Sequence, residues 1–350
     1  MLITGAEQKQ AWLDRRTPPV EQVRDTVWSI PVDFHGSPIR YTFAYVITDA
    51  AGGAVIIDPG WDSDFGRAQL ADGLARMEVA LEDVVGIVAT HFHPDHLGMV
   101  ARIAAETGAW VAMHPEEARL MDLYRDAEWA LDADGAWLRE IGVPPAVQRD
   151  ISVDTRTIHE VDALARPTLL VEDGDLLPFD GERLRIVSTP GHTPGHIAVA
   201  DERERVFFSG DHILPRITPN VGLTSTGRRP GALADYYSSL RRMTEWDDFE
   251  VLPAHEYRFT GLAERADQLA THHDERSNEI EGVVGSGATS VFDVASRLTW
   301  GRGWAQLDGV NLRAALGEVA AHVEHLETAG RIRSELDEAG VARLFLAPIQ

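Results

Sequence analysis

The chain has no cysteine. Disulfides and thiolate ligands are therefore excluded, and any metal must be held by histidines and carboxylates. Lysine is almost missing too: Lys9 is the only one, so nearly all positive charge is arginine. Basic residues number 32 against 56 acidic ones, for a net charge of -24. So acidic a chain repels polyanions unless it hides a local basic patch, and nucleic acid is not an expected partner. Long apolar runs are absent as well. No stretch approaches the roughly 18 consecutive apolar residues of a membrane-spanning helix. The first residues, MLITGAEQKQAWLDRR, hold no apolar core of signal-peptide length. The expectation is a cytoplasmic protein with no membrane partner.

What is present suits a folded enzyme. At 350 residues the chain can form one large domain plus a small one, and 44% hydrophobic residues suffice for a packed core. Segments rich in β-branched and aromatic residues, Val27 to Ile30 and Tyr41 to Thr48, read as strands. Ala54 to Asp58 reads as another, stopped by Pro59-Gly60. A helix is predicted over Asp64 to Met77, then a continuous apolar strand over Val84 to Ala89, a helix over Leu97 to Glu106 and a strand over Ala109 to Met113. This alternation predicts a layered α/β domain. Residues 115–166 carry no strand signal, and are predicted to be a helical insertion covering one mouth of the site. Strands resume at Thr168 to Val171, Leu184 to Val187, Ile197 to Ala200, Val206 to Phe208 and Val251-Leu252. Past Leu262 helices take over. Thr289 to Thr299 and Leu312 to Ala329 read as helices, followed by a hairpin of Arg331 to Leu336 with Val341 to Leu346, the outline of a winged helix. The expected division is a catalytic domain over residues 1–275 and a winged-helix-like domain over 276–350.

The chemistry concentrates in four motifs. Thr90-His91-Phe92-His93-Pro94-Asp95-His96 follows a buried strand. His91 and His93 are two apart, so in an extended segment they share a face and can reach one cation. Asp95 and His96, where the chain turns into a helix, point elsewhere and can hold a second. The other motifs are the Gly/Pro loop Ser188 to His196, the run Phe207-Phe208-Ser209-Gly210-Asp211-His212, and Leu252-Pro253-Ala254-His255-Glu256-Tyr257. Each follows a strand, so all four can gather at one sheet edge. Their histidines and aspartates form a ligand set suited to Zn²⁺, Mn²⁺ or Fe.

In order, HxHxDH, GHTPGH, SGD and AHE resemble the metallo-β-lactamase superfamily over about residues 25–260. The resemblance implies a four-layer αβ/βα sandwich with two divalent cations at one edge, zinc in the first instance. It implies His91, His93 and His192 on one metal, Asp95, His96 and His255 on the other, and Asp211 bridging them. His196, His212 and His114 are expected to be structural histidines near the site. The pairs His272-His273 and His322/His325 sit on predicted helices and are expected on solvated faces. The His255-Glu256-Tyr257 motif is similar to glyoxalase II, the hydroxyacylglutathione hydrolases, whose tyrosine helps to hold the thiol carrier, which makes Tyr257 a substrate-binding candidate. The chain departs from that group in lacking a basic C-terminal pair for glutathione carboxylates. Its tail, Leu316 to Leu326 included, resembles the winged-helix tail of a broad group of β-lactamase-like hydrolases.

The implied mechanism activates a water between two cations about 3.5–4 Å apart, with Asp95 orienting the nucleophile and shuttling its proton. The leading expectation is a hydrolase of a small acyl substrate, a thioester of coenzyme A or a glutathione-like thiol, or a related ester or lactone. Alternatives within the fold are a phosphodiesterase or ribonuclease and an iron-dependent persulfide dioxygenase-like enzyme. From Glu281 onward nine acids outnumber six arginines, whereas a nucleic-acid-reading wing should be basic. The tail is instead expected to dock on the catalytic domain or on a second copy in a homodimer. Arg216, Arg228 and Arg229, in the loop after Asp211, are candidates for the phosphates or carboxylate of the carrier.

Overall fold

Seven of the eight residues from Tyr41 to Thr48 are buried, as the middle strand of a covered sheet requires. The computed structural model describes residues 1–34, 36–181, 183–223 and 230–348, and these fall into two units. The first comprises Met1–Met121, Ala163–Pro219 and Ser239–Ala266; the second comprises Asp122–Asp162, Asn220–Ser238 and Asp267–Gln350.

In chain order the first half contains β1 (Leu2–Ile3), α1 (Ala6–Leu13), β2 (Glu21–Arg24), β3 (Val27–Asp33), β4 (Tyr41–Thr48), β5 (Ala54–Ile57), α2 (Asp64–Arg76), β6 (Val84–Val88), α3 (Pro94–Leu97), α4 (Val100–Thr107) and β7 (Trp110–Met113). Four helices follow: α5 (Pro115–Leu123), α6 (Ala127–Glu140), α7 (Pro145–Ile151) and α8 (Thr155–Asp162). Next come β8 (Leu169–Leu170), β9 (Leu184–Ser188), β10 (Ile197–Asp201), β11 (Val206–Gly210), α9 (Ala232–Arg242), β12 (Glu250–Pro253) and β13 (Phe259–Thr260). The chain closes with α10 (Leu262–Gly285), α11 (Val291–Arg297), α12 (Gly309–Thr328) and the hairpin β14 (Ile332–Leu336) with β15 (Ala342–Leu346).

The first unit is built on two sheets, ordered β2-β3-β4-β5-β6-β7-β8 and β1-β13-β12-β11-β10-β9. In the first, β2 to β5 are antiparallel neighbours and β5 to β8 run parallel. In the second, β11 and β12 are the parallel pair. Side chains from both sheets share one apolar cluster, including Phe43, Tyr45 and Ile57 from one and Ile186, Val199 and Phe208 from the other. The Tyr45 and Phe208 rings lie 5.2 Å apart across it. This is the sandwich layering that the alternation of strands and helices predicts. The parallel strands matter for function, because parallel neighbours deliver their C-terminal loops to the same edge.

The second unit has its own core. Trp137, Leu138 and Ile151, from α6 and α7, pack with Ile280, Val294, Leu316, Val319 and Leu326 from the C-terminal helices. The helices expected as an insertion thus join the C-terminal elements from Asp122 onward. A tail of about 70 residues alone is a marginal domain, and these helices enlarge the core it buries. The expected division near residue 275 falls inside α10, which is continuous.

One expectation is overturned here. His273 and His322 are buried, not solvated. His273, Ser277, Ile280 and Val284 recur at helical spacing and are buried in α10, and His322 lies with Val319, Val323 and Leu326 on the buried side of α12. The imidazoles stack at 5.3 Å, with His273 Nδ1 and His322 Nε2 3.2 Å apart, and His322 Nδ1 meets Ser277 Oγ at 2.9 Å. Both His322 nitrogens and His273 Nδ1 thus find polar partners within the core, whereas His273 Nε2 makes no hydrogen bond among the described residues.

Candidate metal centre

Four loops leave the strand ends and converge. His91 to His96 follow β6 and enter α3, His192 follows β9, Asp211 follows β11 and His255 follows β12. All seven residues named from the sequence are brought together in three overlapping groups: His91, His93 and His192; His91, His96 and Asp211; and Asp95, His96 and His255. Within each group the ligand-type atoms lie within 4.8 Å of one another. His91 Nε2 and His192 Nε2 stand 2.9 and 3.1 Å from His93 Nδ1. Nitrogens around one tetrahedral zinc, with bonds of about 2.1 Å, are about 3.4 Å apart, so this spacing fits a shared cation. Asp211 reaches toward three rings at once, His255 Nε2 at 3.2 Å, His96 Nε2 at 3.6 Å and His192 Nε2 at 3.7 Å. Asp95 Oδ2 faces His255 Nε2 at 3.5 Å and His96 Nε2 at 3.6 Å.

Three buried atoms here, His96 Nε2, His255 Nε2 and Asp211 Oδ1, have no hydrogen-bond partner in the described residues. Orphaned buried polar atoms are costly unless something satisfies them. Clustered imidazole and carboxylate donors are what a divalent cation requires.

The electrostatics agree. Burial pushes the His91 ring well below the ordinary imidazole range, and the neighbouring rings of His96, His93 and His192 push the same way. His93 is lowered to about 3, by burial first and His192 second. Both are held neutral, as ligands must be. Burial opposes protonation of His96, but Asp95, Asp211 and Asp58 outweigh it and raise that ring. His255 is raised in the same way by Asp211 and Asp95 against burial. Burial would raise Asp211, yet His255 and His96 hold it well below the carboxylate range. These protons occupy positions a cation would take over.

The supporting contacts are not legible in the motifs. Asp58, buried at the end of β5, accepts the Thr90 backbone N–H at Oδ1 (2.8 Å) and the Thr90 hydroxyl at Oδ2 (2.7 Å). His96 Nδ1–H donates to the same Oδ2 at 2.8 Å. The Thr90 hydroxyl proton is thereby committed, so its oxygen accepts His91 Nδ1–H at 3.0 Å. One carboxylate thus sets the tautomer of two rings and aims both Nε2 atoms at the site. His255 is aimed likewise, its Nδ1–H donating to the Tyr41 carbonyl at 3.0 Å. Glu117, fully buried, accepts Phe92 N–H (2.8 Å) and Gly195 N–H (2.7 Å) and so ties the first histidine loop to the Gly/Pro loop. A signal for Asp58 does exist: like Asp211, it is an acid directly after a buried apolar strand.

His196 is held structurally, its Nδ1 2.7 Å from Thr189 Oγ1 and its Nε2 accepting Asp211 N–H at 3.1 Å. His212 is buried beside it, the two rings 6.2 Å apart, and burial lowers it to about 3. His114 Nδ1 accepts Glu116 N–H at 3.2 Å. Tyr257 is buried, with Lys9 Nζ 6.0 Å from its ring centre, and burial followed by Glu256 raises its hydroxyl. Arg216 is committed on one side: its Nε bonds Glu256 at 3.1 Å and its guanidinium lies 4.0 Å over the Trp12 ring. Arg228 and Arg229 lie outside the described residues.

Comparison with known proteins agrees with this geometry. The chain is 23% identical over 283 residues to a probable metallo-hydrolase of Bacillus subtilis, YqjP, covering 80% of this chain and 86% of that protein. It is 28% identical over 223 residues to the acyl-coenzyme A thioesterase MBLAC2 of Gallus gallus, covering 62% and 72%. A crystal structure of a metallo-beta-lactamase family protein from Thermus thermophilus superimposes with a TM-score of 0.77 at 26% identity, covering 93% of this chain and all of that one. Residues 38–255, which contain all seven candidate metal ligands, match the model of the metallo-beta-lactamase superfamily. The fold, the converging histidines and aspartates and this match together establish that the chain belongs to the metallo-β-lactamase superfamily of hydrolases.

Proposed function

We propose that this protein hydrolyses a small-molecule thioester at a centre of two divalent cations. His91, His93 and His192 would hold one ion, Asp95, His96 and His255 the other, and Asp211 would serve both. The observation that carries this is the set of buried atoms on His96, His255 and Asp211 that make no hydrogen bond among the described residues and converge from three separate loops. Two cations there would supply a water acidic enough to ionise at neutral pH and would polarise a carbonyl oxygen. Zinc suits an all-histidine-and-carboxylate set without cysteine.

The chain's own residues do the positioning. Asp95 Oδ2 faces two rings at the centre, a position from which the carboxylate would orient the nucleophile and take up its proton. Asp58 and the Tyr41 carbonyl keep three imidazoles in the tautomer that presents Nε2. No serine or cysteine nucleophile is required. Thioester chemistry is supported by the kinship with an acyl-coenzyme A thioesterase and by the His255-Glu256-Tyr257 sequence. Tyr257 and Arg216, both directly tied to Glu256 by sequence or by ion pair, are proposed at the carrier side of the site. Among the described residues no helix is long and apolar enough to cross a membrane, and the acidic surface suits a small substrate better than a polyanion.

The test is a substrate panel of acyl-coenzyme A, acylglutathione, a lactone and a phosphodiester, with metal-replete and chelator-treated protein. Hydrolysis of a thioester that disappears on chelation and returns with Zn²⁺ is expected. Turnover of the phosphodiester alone, or thioester turnover indifferent to chelation, would overturn the reading.

A further inference from the structure

The first unit has a cleft of about 190 Å³ between the end of α1 and the loop from β3 to β4. Its walls include Arg15, Arg16, Thr17, Asp33, Ser37 and Arg40. Three guanidinium groups against one carboxylate is an unusual balance in a chain of net charge -24. Several other arginines of this unit are engaged by acids: Arg24 and Arg258 by Glu250, Arg183 by Asp201, Arg216 by Glu256. Two of the three cleft arginines are not. Among the described residues Arg15 and Arg40 have no carboxylate partner, and Arg16 reaches only Asp14, at 3.5 Å. Arg40 Nη2 donates to the Trp12 carbonyl at 2.8 Å, and its guanidinium lies over the Trp12 and Tyr41 rings, which fixes it at the cleft wall. An arginine in a polar cleft without a carboxylate partner keeps guanidinium donors for an anion.

The cleft is also close to the centre along the chain. Arg40 precedes Tyr41, whose carbonyl accepts His255 Nδ1–H at 3.0 Å. Trp12 lies beneath both Arg40, at 5.2 Å, and Arg216, at 4.0 Å. Arg216 in turn is held by Glu256, the neighbour of His255. The same N-terminal helix therefore borders both the cleft and the loop that carries a metal-centre histidine.

We infer that this cleft is an anion site for a phosphate group of the thiol carrier, gripped by Arg15, Arg16 and Arg40. It rests on the thioesterase reading for the identity of that carrier. Phosphate matches the forked donors of arginine, which bind its oxygens two at a time. Ser37 Oγ accepts Ile39 N–H at 3.2 Å, which leaves its own proton to donate, and Thr17 adds a second hydroxyl. A water's share of liquid volume is about 30 Å³, so the cleft has room for a phosphate group with part of its hydration. Asp33 on the rim limits the positive charge and disfavours a polyanion.

The experiment is calorimetric titration of metal-replete protein with coenzyme A, with pantetheine, which lacks the phosphates, and with inorganic phosphate. Binding of coenzyme A, not turnover, is the readout, so the outcome does not depend on whether any thioester is cleaved. Coenzyme A should bind more tightly than pantetheine. Arg15→Gln and Arg40→Gln should each weaken coenzyme A about tenfold, the size of one lost charge-assisted hydrogen bond, and leave pantetheine binding as it was. The Arg15 side chain makes no hydrogen bond or ion pair among the described residues, so its variant keeps the test meaningful if Arg40→Gln disturbs Trp12. Equal binding of coenzyme A and pantetheine, or variants that weaken both alike, would sink the inference while a working thioesterase assay left the proposed function standing. Inorganic phosphate displacing coenzyme A completely at equal concentration would mark free phosphate as the occupant and overturn the carrier assignment.

Discussion

Asp58 Oδ2 accepts His96 Nδ1–H at 2.8 Å, and the same oxygen takes the Thr90 hydroxyl that in turn orients His91. One buried carboxylate therefore aligns two imidazoles from a loop more than thirty residues away in sequence. Asp58 pays for this with a left-handed backbone, φ +50°. Asparagine tolerates that conformation, so Asp58→Asn keeps the shape and removes the charge. One of its oxygens becomes an NH₂ donor facing donors. Metal affinity should fall about 10- to 100-fold, measured by competition with a chromophoric chelator. Unchanged affinity would deny Asp58 its positioning role.

Asp211 stands within 3.7 Å of His96, His192 and His255, rings drawn from both proposed ion sites, whereas His192 is proposed for one ion only. Asp211→Ala should thus remove donors from both halves of the centre and His192→Ala from one. Elemental analysis of protein purified without chelator is expected to show less metal in Asp211→Ala than in His192→Ala. The reverse order would contradict a bridging Asp211.

Gly210 precedes that aspartate with φ +50°, and a Cβ there would meet His196 Nε2 at 2.7 Å and Thr90 Cβ at 3.0 Å. Both neighbours are buried and hydrogen-bonded, so neither can retreat cheaply. Gly210→Ala is expected to cost about 1–3 kcal/mol, seen as a lower melting temperature. A wild-type melting temperature would show that the strand end shifts freely.

Burial pushes His273 down to about 3 and His322 to about 2. Histidine in the unfolded chain titrates near about 6.5. Above that value neither state binds the protons, and stability is fully present. As pH falls below it the unfolded chain takes up protons that the folded pair refuses, and stability drops, by up to about 1.4 kcal/mol per pH unit for each ring. Calorimetric melting from about pH 6.5 to about pH 4 should therefore show a steep fall in wild type. The fall should be shallower in His273→Phe/His322→Leu. Identical slopes would show that the pair does not govern acid sensitivity.

Much of the first unit is legible in the residues. Val84 to Val88 is a continuous apolar run and Tyr41 to Thr48 a dense β-branched and aromatic one, so local preference and burial agree there. The strand over Tyr41 to Thr48 matches the predicted one to the residue. The helix α1 leaves no such signal, because Ala6–Leu13 has hardly any apolar periodicity and is held by tertiary contacts such as Gln8 with Ser29 and with Arg258 N–H. The cleft arginines beside it are hidden for the same reason. The buried histidines of α10 and α12 look solvated by residue type, whereas the stripe they occupy faces a core.

The sequence by itself determined the ligand types and their order. Without cysteine only histidine and carboxylate can bind a metal, and the spacings HxHxDH, GHTPGH, SGD and AHE each sit just past a strand. Those are local facts, carried by strand endings and short loops. Only the tertiary structure decided which groups hold the ligands in place, Asp58 under His91 and His96, Glu117 between two loops, the Tyr41 carbonyl behind His255. It also decided that Asp122–Asp162 shares a unit with the C-terminal helices. The physical reason is the same in each case. A buried hydrogen bond or an apolar contact between residues far apart in sequence leaves no periodic trace in either segment, and exists only once the strands and helices have packed.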